Sequence, residues 1–133
     1  MMYIYIGLVC VLLIVLWNRT ESFSERPETY VIDSTLPGPC IGILAGMHGN
    51  EPAGSLELTR LLNQNWFKCL KRGSVRIVPA ANPVGLKLNM RYTPWVDMNR
   101  RFGKAPKDQA SKDILKLFSP CDMVIDFHEG WGF

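Results

Sequence analysis

A chain of 133 residues is enough for one small domain and no more. Its formal charge of +3 is mild, and neither aromatic-basic interleaving nor a known module accompanies it, so nucleic acid is not an expected partner. Four cysteines without a CxxC pair support neither a cysteine zinc site nor a redox motif, and they read as buried free thiols.

Residues 1–17 are apolar throughout, and the first charge is Arg19. As a helix they rise roughly 25 Å, the short end of what crosses a bilayer core. Tyr3, Tyr5 and Trp17 lie near the two ends of this stretch, where amphipathic aromatics favour the interface. A cleaved signal peptide needs a basic start and small residues at the cleavage site, which Leu16, Trp17 and Asn18 do not offer. The expectation is a single transmembrane anchor over residues 1–18, hence a membrane protein. Arg19 and Arg26 are offset by Glu21 and Glu25, but acids count little in the orientation rule, so the cytoplasmic side is slightly favoured for the domain.

Residues 19–39 are polar and broken by Pro27, Pro37 and Gly38, as a linker would be, which leaves residues 40–133 for the domain. Cys40 to Ala45 is a short apolar run of the kind that forms a buried strand, ended by Gly46. Pro52 suits a first helical turn. Leu58, Leu61, Leu62, Cys69 and Leu70 follow at helical spacing up to a stop at Gly73. Residues 75–78 read as a second strand and residues 82–106 as a long loop. Asp108 caps a helix carrying Ile114, Leu115, Leu117 and Phe118, which Pro120 terminates, and residues 123–127 read as a third strand. Strand, helix, strand, loop and helix, strand is the grammar of an α/β domain with a mostly parallel or mixed sheet.

If these strands are parallel, three groups of polar residues gather at one edge of the sheet. His48 and Glu51 follow the first strand, the loop from Asn82 to Arg101 follows the second, and His128 ends the third. The carboxyl edge of an open α/β sheet is where ligands bind. The chain has only two histidines, and both stand at strand ends. An imidazole and a carboxylate three residues apart on a turn can both reach an ion about 2 Å away, and His128 adds a second imidazole. Three protein ligands with an open fourth position describe a catalytic zinc, one ion per chain. Between residues 82 and 116, eight Lys or Arg stand against three Asp. They read either as a solvated basic face or as the lining of a site for a small carboxylate-bearing substrate, with guanidinium groups gripping the carboxylate and one arginine polarising the scissile carbonyl.

Gly46-Met-His-Gly-Asn-Glu51, Asn82-Pro83, Arg91, Asp97-Met-Asn-Arg100 and Asp126-Phe-His128 stand in the order that resembles the succinylglutamate desuccinylase/aspartoacylase family, a branch of the zinc carboxypeptidase fold. The resemblance runs over residues 41–131. It implies a sheet with helices on both faces and a zinc-dependent hydrolase of deacylase type, cleaving an amide or ester of an N-acyl amino acid-like substrate. Carried over by motif, His48, Glu51 and His128 match the zinc ligands, Arg91 the carbonyl-polarising arginine, and Asn99 and Arg100 the pair that binds the substrate carboxylate. Asp126 is either a carboxylate supporting the ligand histidine or a buried structural acid. The rival readings are a carboxypeptidase of the same fold and a non-catalytic, membrane-anchored module that binds zinc or carboxylates. One departure stands out. The family places a general-base glutamate on a later strand, whereas this sequence ends at Phe133, so the expectation is a domain whose carboxyl half is missing. Glu129 adjoins a ligand, but a neighbour on a strand or turn points elsewhere.

Overall fold

The computed structural model describes residues 26–92, 97–103, 106 and 108–130. Four strands make one sheet in the order β1-β3-β2-β4. They are β1 (Tyr30–Asp33), β2 (Cys40–Ala45), β3 (Ser74–Val78) and β4 (Met123–Phe127). β2 is central and runs parallel to both neighbours, with Leu44 opposite Val78 on one side and Asp126 on the other. β1 pairs antiparallel with β3, Tyr30 opposite Ile77, so the segment expected to be linker contributes an edge strand. Parallel neighbours need long crossovers. Two helices supply them: α1 (Ala53–Asn63) between β2 and β3, and α3 (Gln109–Phe118) before β4. A short α2 (Pro83–Leu88) sits inside the expected long loop. It starts at Asn82, whose side chain accepts the Gly85 amide at 2.9 Å, and Pro83 fits its first turn.

Alternation along the strands decides which face each side chain serves. Leu44 and Val78 pack with Ile114, Leu117 and Phe118 of α3, while Ala45, Val75 and Ile77 pack with Leu58 and Leu62 of α1. Helices therefore cover both faces. α1 is shorter than the hydrophobic spacing predicts, because Asn65 takes a left-handed conformation at φ 54° and ends it. A 3-10 turn, Trp66–Cys69, takes over, and Phe67 and Leu70 still reach the α1-side core.

Asp108 caps α3 as its position predicts. Its carboxylate accepts the Ser111 amide at 2.8 Å and the Ser111 hydroxyl at 3.0 Å. Ser111 is fully buried, so removing the cap also orphans a hydroxyl. Asp108→Ala is expected to cost about 1–2 kcal/mol of stability, read from the urea midpoint.

Among the described residues no helix is long and apolar enough to cross a membrane, and the expected anchor over residues 1–18 lies outside the described residues. The expectation of a fold preceded by a transmembrane helix, and with it membrane localisation and membrane partnership, is corrected on that finding. The helices that are described are 11 residues or shorter, far below the roughly 20 a span needs.

Candidate metal centre

The carboxyl ends of β2 and β4 bring the two histidines together. After Ala45 the chain turns at Gly46, which has φ 65°. It buries Met47, and then presents His48 and Glu51, both nearly inaccessible to solvent. This turn lies directly against α2: the Gly49 amide donates to the Met90 carbonyl at 3.1 Å. A Cβ at Gly49 would run into the Gly85 carbonyl, so only glycine lets the two backbones approach this closely. Gly54, in the first turn of α1, serves a similar purpose. A Cβ there would stand 2.8 Å from Cβ of Phe127, so the bare backbone lets α1 begin right beside β4.

Glu51 is the hub. Its carboxylate oxygens lie 2.9 Å from Nδ1 of His48 and 2.8 Å from Nδ1 of His128. The carboxylate accepts from Nη1 of Arg91 at 2.8 Å and from the Glu129 amide at 3.2 Å. The two imidazole rings lie 4.9 Å apart, centroid to centroid. One donor atom from each of His48, Glu51 and His128 falls within 4.8 Å of the others, a group that could hold a metal ion. The remaining ring nitrogens are occupied as well. Nε2 of His48 pairs with Asp97 Oδ1 at 3.0 Å, and Nε2 of His128 with Asp126 Oδ2 at 3.0 Å. An aspartate that keeps the Nε2 proton leaves the Nδ1 lone pair aimed at the common centre, the arrangement metal-ligating histidines use. The donor set and its outer carboxylates therefore fit a metal ion.

Electrostatics support the same cluster. Burial pushes the Glu51 carboxyl up, but hydrogen bonds from His128 and the Glu129 amide, with the charge and hydrogen bond of His48, hold it below the ordinary carboxylate range. Burial also pushes Asp97 up, and His48, the Asn99 amide and the Arg100 charge bring it below its usual value. For His128 burial favours the neutral ring, yet Glu51 and Asp126 raise its pKa above the ordinary imidazole value.

The loop after β3 reaches the site through one buried side chain. Met98 sinks into the α3-side core, and the 3-10 turn Met98–Arg100 around it fixes Asp97 beneath His48. Asp97 is the participant for which the sequence offered no role. Its only signal was its place in the same short motif as Asn99 and Arg100. Arg91 is about one-third exposed and also stands 4.0 Å from Asp97. Asn99 and Asp126 give polar lining to an open, mostly apolar cleft of about 390 Å³ between α3 and the sheet. Arg100 is exposed beside this loop and is not one of the three metal-site donors. Glu129 does not face the centre with its carboxylate, which accepts the Ala53 amide at 2.5 Å at the start of α1.

The outer carboxylates yield a direct test. Asp126→Asn leaves the size of the side chain unchanged but removes the negative charge that faces Nε2 of His128, and metal affinity is expected to fall about 10–100-fold by competition against a chelating dye. An unchanged affinity would mean that Asp126 acts only in the fold.

Comparison with known proteins agrees with this geometry. The family model described as the succinylglutamate desuccinylase/aspartoacylase catalytic domain matches residues 37–131. Carboxypeptidase 2 of Trichophyton tonsurans is 32% identical over 121 residues, an alignment covering 84% of this chain and 21% of that protein. An aspartoacylase family protein from Mesorhizobium loti superposes with a TM-score of 0.63 at 28% identity, over 77% of this chain and 34% of the other. The tripeptide-bound cell shape determinant Csd4 of Helicobacter pylori gives a TM-score of 0.59 at 27% identity, over 80% of this chain and 28% of the other. The chain thus spans about a fifth of the length of the curated relatives it matches, and between about a quarter and a third of the solved ones.

Proposed function

Because this chain belongs to the succinylglutamate desuccinylase/aspartoacylase catalytic-domain family, we propose that it is the metal-binding portion of a zinc-dependent hydrolase, with His48, Glu51 and His128 as the ligands. The observation that carries the reading is the pairing of each ligand histidine with an outer aspartate, Asp97 for His48 and Asp126 for His128. Two neutral imidazoles, one carboxylate and an open position suit zinc in a catalytic setting. When bound, zinc supplies Lewis-acid polarisation of a carbonyl or of water.

The chain's own residues would do the rest. The carboxylate of Glu51 gathers both rings and the Arg91 guanidinium around one centre, which supports the reading that Arg91 would donate to a carbonyl oxygen as negative charge develops there. Asn99 and Arg100 would bind the carboxylate of the substrate, Asn99 from the cleft and Arg100 from the exposed side of the loop. The substrate class is an N-acyl amino acid or a closely related amide or ester.

A carboxypeptidase reading is favoured by a separate observation, the likeness to Carboxypeptidase 2 and to a tripeptide-bound structure. Hydrolysis of N-acyl amino acids, measured beside hydrolysis of short peptides, separates the two. In a form with activity, Arg91→Ala is expected to lower kcat, since it acts on developing charge, and Arg100→Ala to raise KM, since it holds a charge present in the ground state. Identical effects from both substitutions would argue against separate roles, and absence of zinc from the purified chain would overturn the proposal itself.

A further inference from the structure

Two of the cysteines that the sequence scatters are brought together at the far end of the sheet from the metal centre. Cys40 opens β2, and Cys121 lies just before β4, which runs parallel to it. Their sulfurs are 2.9 Å apart. A reciprocal backbone clamp holds this approach: the Cys40 amide donates to Asp122 Oδ2 at 2.8 Å, and the Asp122 amide donates to the Cys40 carbonyl at 2.8 Å. Cys40 is buried and Cys121 is partly exposed, whereas Cys69 is exposed on the 3-10 turn after α1.

We propose that Cys40 and Cys121 form a two-thiol oxidation site, in which a hydroperoxide oxidises Cys40 and Cys121 then closes a disulfide between β2 and the approach to β4. The environments of the two thiols differ in the way the order of events requires. Burial pushes the Cys40 thiol up, but hydrogen bonds from Cys121, Ser74 and Arg76 and the Arg76 charge outweigh it and set the thiol below its ordinary value. Cys121 is pushed up to about 11 by burial and by the hydrogen bond and charge of Cys40. That difference favours Cys40 as the nucleophile and Cys121 as the resolving thiol.

The chemistry balances. The Cys40 thiolate attacks one peroxide oxygen, the O–O bond breaks, and hydroxide leaves, giving a sulfenic acid at Cys40. The Cys121 sulfur attacks the Cys40 sulfur, the S–O bond breaks, and the departing hydroxide takes the Cys121 proton as water. Two thiols and one hydrogen peroxide yield one disulfide and two waters. The product fastens β4, which among the described residues pairs with β2 alone, at the end remote from His128 and Asp126.

The test uses the full chain, reduced and then treated with a stoichiometric amount of hydrogen peroxide. Non-reducing peptide mapping is expected to join the peptides carrying Cys40 and Cys121, reversibly with dithiothreitol, while Cys69 stays open to alkylation. The oxidised chain is expected to melt higher by about 10 °C, as closing a long loop predicts. In Cys121→Ser, dimedone is expected to trap a sulfenic acid at Cys40. Oxidation of Cys69 ahead of the pair, or linkage of either cysteine to Cys69 or Cys10, would overturn the proposal. The peptide map of the unaltered chain decides the matter even if the variant fails to fold.

Discussion

Zinc content is expected to fall from about one ion per chain to a small fraction when His128 is replaced with alanine. Nδ1 of His128, which lies beside the Glu51 carboxylate, would be one of three donors around a single centre, and its loss would leave His48 and Glu51 among the described residues. Removing one of three donors should weaken binding on the order of a hundredfold or more, enough to empty the site during desalting. Elemental analysis of the purified chain reads the result, and full zinc in His128→Ala would refute the ligand set. The pH dependence has a definite sign. Glu51 and Asp126 raise the His128 pKa, so its ring keeps its proton to higher pH than a free imidazole would. Zinc must displace that proton. Binding is therefore expected to be weaker at about pH 6 than at about pH 8, with the gain spread over the range in which His128 deprotonates. A flat profile would show that the proton on His128 is not in competition with the metal.

Gly49→Ala is expected to abolish both the native fold around the site and the zinc. The added methyl would meet the backbone carbonyl of Gly85 and that of Met90, neither of which can swing aside as a side chain can. Relief would require α2 to separate from the turn that carries His48 and Glu51. Overpacking of this kind costs about 3 kcal/mol or more, a large share of the total stability of a small domain. Gly103→Ala is the control, since among the described residues nothing lies within 4 Å of its added methyl. Circular dichroism melting curves of the two variants, with zinc content beside them, give the answer. A Gly49→Ala chain that melts like Gly103→Ala and keeps its zinc would show that the turn has room to yield.

The elements with strong hydrophobic runs were legible in the residues. Cys40–Ala45 and Met123–Phe127 are strands over the spans their apolar runs indicate, and the second strand begins one residue earlier than its run. β1 was not legible because a four-residue strand that pairs, among the described residues, with β3 alone needs no apolar run: three of its residues are exposed. α2 hid for a related reason. It is six residues long and stands among Gly, Pro and Asn, and what fixes it is the Asn82 cap and its packing against Gly49, a contact across more than thirty positions. The first residues belong to a different case, since an apolar run alone does not distinguish a membrane span from other uses of hydrophobic chain, and among the described residues no helix can serve as one.

For the site, the sequence determined the chemistry of the donors: the only two histidines and a glutamate three residues from one of them, all next to strand ends. That much follows from residue type and from the side-chain period of a strand. Which nitrogen faces the centre, and which acid holds the other, was decided by tertiary structure alone. Asp97 meets His48 across forty-nine positions because Met98 is buried beside it, and Cys40 meets Cys121 across eighty-one because β2 and β4 are neighbours in the sheet. Local sequence carries propensity and periodicity, which act over a few residues. Partnerships between distant side chains arise only when the sheet order and the core packing bring their backbones together.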